Sequence, residues 1–286
     1  MSKTLLNLGE FGLISQLKTI VPSLPKGIVG IGDDTAVLPY GRGKHLLFTT
    51  DMMVEDVHFT KAMKAGSIGH KALAVNISDI ASMGGIPTAA VVSIGLPKNT
   101  PVKFVEDIYK GMAKTAKKFG VHIVGGDTVK ADKTVINVAL IGEVKKKHLV
   151  TRSGAKPGDW IFVTGPLGGS FTSGRHLTFT PRLEESRFLV KEVRPTAMMD
   201  ISDGLAGDLN HILKASKVGA HLLQDAIPKN IGCSLEQALV DGEDFELLFT
   251  VPAKKAERLI DRFYPIGVIT DDPKETINAK GFNHFQ

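Results

Sequence analysis

The sequence predicts a mixed α/β protein built from two domains. The chain has 286 residues, which is enough to bury two cores of ordinary size. Segments in which apolar residues recur with the helical period alternate with short apolar runs typical of buried strands. In both halves, several of these runs lead into a cluster of aspartates. We place the domain boundary just after the lysine run Lys145–Lys147, which divides the chain into residues 1–148 and 149–286.

The first half contains three segments with helical spacing. Residues 7–21 have the apolar pattern of an amphipathic helix. Residues 69–84 carry Leu73, Ile77, Ile80 and Ala81 on one stripe, which predicts a buried helix. Residues 101–119 predict a third helix, which Gly120 ends. The predicted strands of this half are Leu46–Phe48, Thr88–Leu96, Val121–Val124 and Thr134–Val144.

The second half opens with Trp160–Gly165, an apolar run typical of a buried strand. Residues 166–180 are rich in glycine, serine and threonine, so we expect a long and mobile loop there. Ser202 is predicted to cap the helix that begins near Leu205, with Asp203 in its first turn, where the helix dipole favours a carboxylate.

Composition and charge argue against several classes of protein. A net charge of +5 would suit a nucleic-acid-binding protein, but the basic residues are dispersed and only 6% of the chain is aromatic, so a solvated surface is the better explanation. No apolar run reaches the length of a membrane span, and the first residues lack the apolar core of a signal peptide. The single cysteine, Cys233, excludes an internal disulfide and a cysteine-rich zinc site. We therefore expect a cytoplasmic protein that binds neither nucleic acid nor a membrane.

Five aspartates stand in settings that suggest metal binding. Asp51 follows a short apolar run and two threonines, and Asp200 precedes a Ser-Asp-Gly turn. Asp33 belongs to a glycine-flanked acidic pair, Asp127 directly follows two glycines, and Asp79 lies inside the predicted buried helix. Oxygen ligands on rigid elements suit Mg²⁺, and a carboxylate in an apolar helix needs a partner or a metal. Taken singly, the triplet that ends in Asp51 is more typical of a turn, and the acidic pair fits a solvated loop equally well.

The metal hypothesis depends on these aspartates lying close together in the fold. Two carboxylates ~5 Å apart repel by roughly 3 kcal/mol at an effective dielectric near 20. Five of them in one place would therefore require several divalent cations. Oxygen ligands without cysteine favour Mg²⁺ over zinc. Several Mg²⁺ ions beside glycine turns suggest a polyphosphate, most simply ATP.

Other common phosphate-binding and nucleophile motifs are missing from the sequence. There is no G-x-x-x-x-G-K-[ST], no G-x-G-x-x-G after a strand, and no kinase set of H-R-D with D-F-G. A G-x-S-x-G nucleophile elbow is also missing. Since no nucleophile is evident, we do not expect covalent catalysis.

Together, the motifs resemble the thiamine-monophosphate kinase family, which belongs with the aminoimidazole ribonucleotide synthetases and selenophosphate synthetases. The resemblance covers almost the whole chain. The matching blocks are Gly9–Phe11, Gly32–Asp34, Thr49–Phe59, Asn76–Gly84, Gly125–Thr128, Arg152–Ala155, Asp200–Leu205 and Gly242–Leu247. The resemblance implies ATP-dependent phosphorylation of thiamine monophosphate to the diphosphate. It also implies a homodimer in which the N-terminal domains pair into a β-barrel, with ATP in a groove along it.

The resemblance further implies roles for individual residues. Mg²⁺ would be bound by Asp33, Thr49, Thr50, Asp51, Asp79, Asp127, Asp200 and Asp203. ATP would be contacted by Tyr109, Gly126, Asp127, Arg152 and Ser202. Thiamine monophosphate would be contacted by His58, Glu243 and Phe282. The catalytic residues would be Asp51, Asp127 and Arg152.

The chain differs from the family pattern mainly in the acceptor pocket. The family usually has Gly-Gly-Glu-Asp-Tyr where this chain has Asp241–Phe245, and Phe282 stands where tryptophan is common. A phenylalanine would stack less strongly on the cationic acceptor. The segment from Gly165 to Arg182 is also shorter than usual.

Two other functions are compatible with parts of the pattern. One is a related synthetase that uses ATP to act on an amide or on another small phosphate. The blocks at Arg152 and Gly242–Asp244 favour the kinase, and Cys233 lies away from the positions where selenophosphate synthetases and hydrogenase-maturation proteins need a reactive cysteine. The other is a nucleotide-binding regulator without turnover, which would need fewer carboxylates.

Overall fold

The chain folds around two five-stranded sheets, one in each half. The computed structural model describes residues 4–279, 281, 282 and 284. Its first sheet lies within residues 36–145 and its second within residues 159–270. Helices cover the buried faces of both sheets. This architecture confirms the predicted mixed α/β fold of two domains.

The first sheet is mostly antiparallel. Its strands are β1 (Ala36–Tyr40), β2 (Lys44–Val54), β3 (Ile86–Leu96), β4 (His122–Lys130) and β5 (Val135–Lys145). Their spatial order is β1-β2-β5-β3-β4, and β3 and β4 form the parallel pair. Every second side chain of β5 is buried, so one face of the sheet packs against helices while the other face is more exposed.

The first half has three helices, two of which cross at unusually close range. They are α1 (Leu5–Ile20), α2 (Ala65–Ser82) and α3 (Val102–Phe119). As predicted, α2 is buried along most of its length. A Cβ atom on Gly69 would lie 1.9 Å from the carbonyl oxygen of Ile108, and one on Gly111 would lie 1.8 Å from that of Gly66. The backbones of α2 and α3 therefore touch, which only glycine permits.

The second sheet is antiparallel throughout. Its strands are β6 (Asp159–Val163), β7 (Ala197–Asp200), β8 (Gly219–Leu222), β9 (Leu247–Pro252) and β10 (Tyr264–Thr270), in the order β7-β9-β6-β10-β8. The helices of this half are α4 (Ser170–Ser173), α5 (Leu183–Phe188), α6 (Leu205–Ser216), α7 (Leu235–Val240) and α8 (Ala253–Ala256). In the described part of either half, no helix is both long and apolar enough to cross a membrane.

Two strands extend further than their apolar runs predicted. β2 continues through Asp51, which pairs with Val138, and β4 continues through Asp127, which pairs with Ser93. The ladder hydrogen bonds come from the backbone, so a polar side chain does not end a strand. The prediction that these two aspartates follow the ends of strands is therefore wrong.

The start of α6 also differs from the prediction. Its N-cap is Gly204, at a φ of +102°, so Ser202 does not cap the helix and Asp203 precedes its first turn. Asp208 occupies that turn instead. The Asp208 carboxylate accepts hydrogen bonds from the backbone N–H groups of Ser202 (3.0 Å) and Asp203 (3.1 Å). These bonds fix the turn that leads into the helix.

Residues 166–180 form a structured segment rather than the long loop that was predicted. They contain α4 and a short 3₁₀ helix. Ser170 and Arg175 both donate hydrogen bonds to the buried Asp244 carboxylate. Arg175 and Arg182 also form ion pairs with Glu246, which is completely buried. Ion pairs between residues so far apart in sequence leave no periodic signal, which explains the error.

The first sheet is open in this single chain. β1 and β4 form its edges, and no closed barrel is present in the residues described. The face turned away from α2 carries exposed apolar side chains, among them Phe48, Met52 and Val91. This face is thus an apolar surface without a covering element in the described part of the chain.

The close crossing of α2 and α3 predicts that Gly69→Ala destabilises the protein. The new methyl group would collide with the backbone of Ile108, so we expect the free energy of unfolding to fall by about 2 kcal/mol. Gly66→Ala, in the same helix, is the matched control, because its Cβ would lie 3.6 Å from the nearest atom. That variant should be neutral or gain up to about 1 kcal/mol of helix propensity. Urea unfolding measures both, and equal stability of the two variants would contradict the crossing.

Candidate active site

A pocket of about 570 Å³ lies where the two halves meet. The first half contributes residues of β2, the segment after it and α2. The second half contributes the turn after β7, the segment before β9 and the described C-terminal residues. Its polar side chains form two groups, one of aspartates and one centred on a lysine.

The first group, here named the carboxylate cluster, brings together Asp34, Asp51, Asp79 and Asp200. Three of these acids accept hydrogen bonds from hydroxyl groups on β2 and α2. The bonds run from Thr49 to Asp79 (2.5 Å), from Ser78 to Asp200 (2.5 Å) and from Ser82 to Asp34 (2.7 Å). Hydroxyl groups of the first half therefore hold three of the carboxylates, including Asp200 of the second half.

Three carboxylates of the cluster, those of Asp51, Asp79 and Asp200, have raised pKa values. Burial, followed by the charges of the neighbouring aspartates, raises the pKa of Asp79 well above its ordinary value. Burial and the charge of Asp34 raise the pKa of Asp200 to about 7. Burial also raises the pKa of Asp51. Because every donor atom here is a carboxylate or hydroxyl oxygen, the cluster fits a hard divalent cation such as Mg²⁺.

Arg152 and Asp33 flank the carboxylate cluster. The Arg152 guanidinium donates to Asp34 through Nε (3.0 Å) and Nη2 (2.5 Å), and its backbone N–H donates to Asp33 at 3.2 Å. Burial and the charge of Asp34 raise the pKa of Asp33 to about 7. Arg152 thus pairs directly with one acid of the cluster and leaves the others uncompensated.

Near the carboxylate cluster, three further side chains bring metal-ligating atoms together. The ligand atoms of Asp203, Asp208 and His211 all lie within 4.8 Å of one another. Burial and the charge of Glu10 raise the pKa of Asp203 to about 6. Burial and the charge of Arg152 lower the pKa of His211 to about 4, so its imidazole is neutral at pH 7. Neutral imidazole and carboxylates are compatible with a cation at this position.

The second group of the pocket, here named the lysine cluster, consists of His58, Lys71, His176 and Glu243. Lys71 is fully buried, and its ammonium group reaches Glu243 across the boundary between the halves. Phe282 lines the same pocket, and its backbone N–H donates to the carbonyl oxygen of Asp203 at 2.8 Å. The three residues predicted to contact the acceptor therefore do meet in one pocket.

Several predicted site residues lie elsewhere in the single chain. Thr50 and Asp127 are on the exposed face of the first sheet, opposite to the face that carries Asp51. Three strand spacings, about 14 Å, separate β2 from β4. Gly126 is also on β4, and Tyr109 packs at the edge of the first hydrophobic core. The structure does not bring these four residues to the pocket.

Sequence reasoning missed several residues of the site, and four of them show why. Asp34 is the neighbour of a predicted ligand, and the acidic pair was the available signal. Ser78 stands next to Asp79, but a serine in a buried helix gives no pattern of its own. Lys71 could have been identified from its position, because a lysine inside an apolar helix needs a partner as much as an aspartate does. Phe171 lines the pocket from a segment that was predicted to be a loop.

Comparisons with known proteins identify relatives of this chain. Residues 32–144 match the domain family described as AIR synthase related protein, N-terminal domain, and residues 156–280 match the C-terminal domain of the same family. The chain is similar to the thiamine-monophosphate kinase of Aquifex aeolicus, with 35% identity over 97% of this chain and 98% of the relative. It is also similar to that of Bacillus subtilis, with 35% identity over 97% and 99%. A solved structure described as AaThiL complexed with AMPPCP and TMP matches with a TM-score of 0.89 and 34% identity over 100% of both chains.

The raised pKa of Asp200 predicts a pH-dependent effect of Asp200→Asn on the metal-free protein. The folded pKa of about 7 exceeds the ordinary value of 3.8, so the stability that this group contributes is complete below pH 3.8 and lost as the pH rises through 7. The asparagine side chain carries no charge, so after chelation the variant should be more stable than wild type at pH 7 by on the order of a few kcal/mol, and the gap should shrink towards pH 4.

Thermal unfolding with a chelator, and then with excess Mg²⁺, measures this difference. Added Mg²⁺ should stabilise the wild type more than the variant. Asp261→Asn serves as the control, since Asp261 is exposed on the second half. A gap between variant and wild type that does not change with pH would show that Asp200 is not crowded by other charges.

Proposed function

The chain belongs to the AIR synthase related family and, within it, to the thiamine-monophosphate kinases, and we propose on this premise that it transfers a phosphoryl group from ATP to thiamine monophosphate. The product is thiamine diphosphate. The observation that carries the proposal is the carboxylate cluster at the wall of a pocket between the two halves. Both substrates are anionic, so such a cluster accepts them only together with cations.

Several Mg²⁺ ions fit the residues present. The raised pKa values of Asp79 and Asp200 support a cation between these carboxylates, because all their neighbours in the cluster offer oxygen. We assign to Mg²⁺ the pocket-facing and adjacent ligands, namely Asp33, Thr49, Asp51, Asp79, Asp200 and Asp203. When bound, such ions neutralise the phosphates and polarise the transferred group.

The proposed reaction needs alignment more than it needs a base. The acceptor is a phosphate that is already ionised, so no side chain has to remove a proton. Arg152, held in place by Asp34, supplies a fixed positive charge beside the phosphates. We propose direct in-line transfer, with Asp51 as a ligand that fixes the geometry.

The organic part of the acceptor is assigned to the lysine cluster. Thiamine monophosphate carries a cationic thiazolium ring, which favours a carboxylate and an aromatic face. Glu243 and Phe282 offer these two features at the pocket wall, and His58 lines the same pocket. The phosphate of the acceptor then extends towards the carboxylate cluster.

The nucleotide site is proposed to need a second copy of the chain. The exposed face of the first sheet carries both uncovered apolar side chains and the predicted ligands Thr50 and Asp127. If two such faces close into a barrel, the apolar side chains become buried and these ligands lie in the groove between the copies. Tyr109, Gly126, Ser202 and Arg152 are assigned to ATP because the family resemblance implies it. The boundary at residues 148 and 149 and a cytoplasmic location are also retained as predictions.

The function predicts that ADP forms only when thiamine monophosphate is present together with ATP and Mg²⁺. Asp51→Asn should lower kcat at least ~100-fold, because one ligand charge is lost from the transfer geometry, while circular dichroism is unchanged. The exposed Asp261→Asn is again the control. ADP formation without the acceptor would favour another ATP-dependent reaction, and no turnover with any acceptor would favour a regulator. Wild-type turnover by Asp51→Asn would remove this residue from the site.

The proposed dimer predicts that Met52→Asp separates the two copies. Met52 is 56% exposed on the face that would be buried, so a charge there should convert the dimer to a monomer and reduce activity. Light scattering after gel filtration gives the mass. Ile231→Asp, at a fully exposed position of the second half, should leave the mass unchanged. A wild-type protein that is monomeric at micromolar concentration would contradict the dimer.

A further inference from the structure

Lys71 is the most completely buried charged side chain of the lysine cluster. It lies on α2, its side chain is 1% exposed, and its Nζ makes three polar contacts. These contacts are with the carbonyl oxygen of His58 (2.9 Å), Nδ1 of His176 (3.0 Å) and Oε1 of Glu243 (2.5 Å). One ring nitrogen cannot accept from Lys71 while it donates to Glu243, and Nδ1 of His176 also lies 2.9 Å from Oε2 of Glu243. With Nδ1–H donating to Glu243, Lys71 has two hydrogen bonds, and the one to Glu243 connects it to the pocket wall.

Glu243 adopts a backbone conformation that needs support. Its φ of +66° lies in the left-handed region, which residues other than glycine rarely adopt. Its backbone N–H donates to the carbonyl oxygen of Ser202 at 2.7 Å, and Phe245, two residues later, also has a positive φ of +52°. Strained backbone of this kind persists where surrounding contacts fix it, and such positions concentrate at ligand-binding sites.

The Glu243 carboxylate is held from two sides. Oε1 accepts from Lys71, and Oε2 lies 2.9 Å from Nδ1 of His176, which is itself completely buried. Burial opposes ionisation, but His176 and Lys71 outweigh it and lower the pKa of Glu243. His176 in turn lies against the Phe171 ring, with centroids 4.5 Å apart. The carboxylate is therefore ionised and oriented, and it lines the pocket with a side chain that is 21% exposed.

We propose that Lys71 is a positioning residue that fixes the Glu243 carboxylate for the cationic, organic part of the acceptor. This inference rests on the proposed function and deepens it. Lys71 comes from the first half and Glu243 from the second, so the ion pair also sets how the two walls of the acceptor pocket meet. The lysine acts through Glu243, since its own side chain is only 1% exposed and its Nζ bonds that carboxylate. Removing it leaves the carboxylate held from the His176 side alone, so its orientation at the pocket wall is less well fixed.

Steady-state kinetics of wild type and four variants tests the inference. Lys71→Met should raise KM for thiamine monophosphate about tenfold, which corresponds to the loss of one well-placed interaction, and leave KM for ATP unchanged. Glu243→Gln should have a similar effect. In the double variant the two losses should not add, because Lys71 acts through Glu243. Lys103→Met, which removes an exposed lysine paired with Asp107 on α3, is the control and should match wild type.

Further readouts separate a positioning role from a structural one. Lys71→Arg keeps the charge and the donors, so its KM for the acceptor should lie between those of wild type and Lys71→Met, even if the methionine variant proves unstable on heating. A general loss of packing would raise both KM values and would add to the Glu243→Gln effect, and that result would overturn the inference. If wild type forms no ADP with thiamine monophosphate, the proposed function and the positioning role of Lys71 both fail. If wild type is active and the losses add, the positioning role alone fails.

Discussion

Repulsion among buried aspartates is the constraint on which the rest of the structure depends. Asp51, Asp79 and Asp200 come from a strand of the first sheet, a buried helix and a strand of the second sheet, so each belongs to a rigid element. They cannot move apart without separating the two halves. The fold therefore keeps the charges together and leaves protonation or cation binding as the ways to relieve them. A flexible loop would have lost this property by relaxing.

The helix α2 connects this constraint to the rest of the pocket. Ser78, Asp79 and Ser82 hold the carboxylate cluster, while Lys71 of the same helix holds the lysine cluster. Lys71 and Asp79 are separated by about 12 Å along the helix axis, given a rise of about 1.5 Å per residue. One rigid element thus fixes the spacing between the site assigned to phosphates and the site assigned to the organic cation. The glycine contacts with α3 hold that helix in place.

Sequence reasoning predicted the acids of the site better than their surroundings. Asp51, Asp79 and Asp200 were identifiable because each carboxylate stands against an apolar pattern. Asp127 has the same local signal, yet strand pairing places it on the opposite face of the first sheet. The face on which a side chain lies depends on the register between strands, which a single run of residues does not reveal. The Ser202 cap was predicted from residue type, whereas the positive φ of Gly204 decided where α6 begins. Lys71 and the ion pairs around Glu246 depend on partners far away in the sequence, which no local pattern records.

The most direct test is a crystal structure of the protein with Mg²⁺ and a non-hydrolysable ATP analogue. The account predicts metal density coordinated by Asp51, Asp79 and Asp200 together, with the terminal phosphate of the analogue bound to the same ions. Clear density for the nucleotide with no metal among these three carboxylates would contradict it.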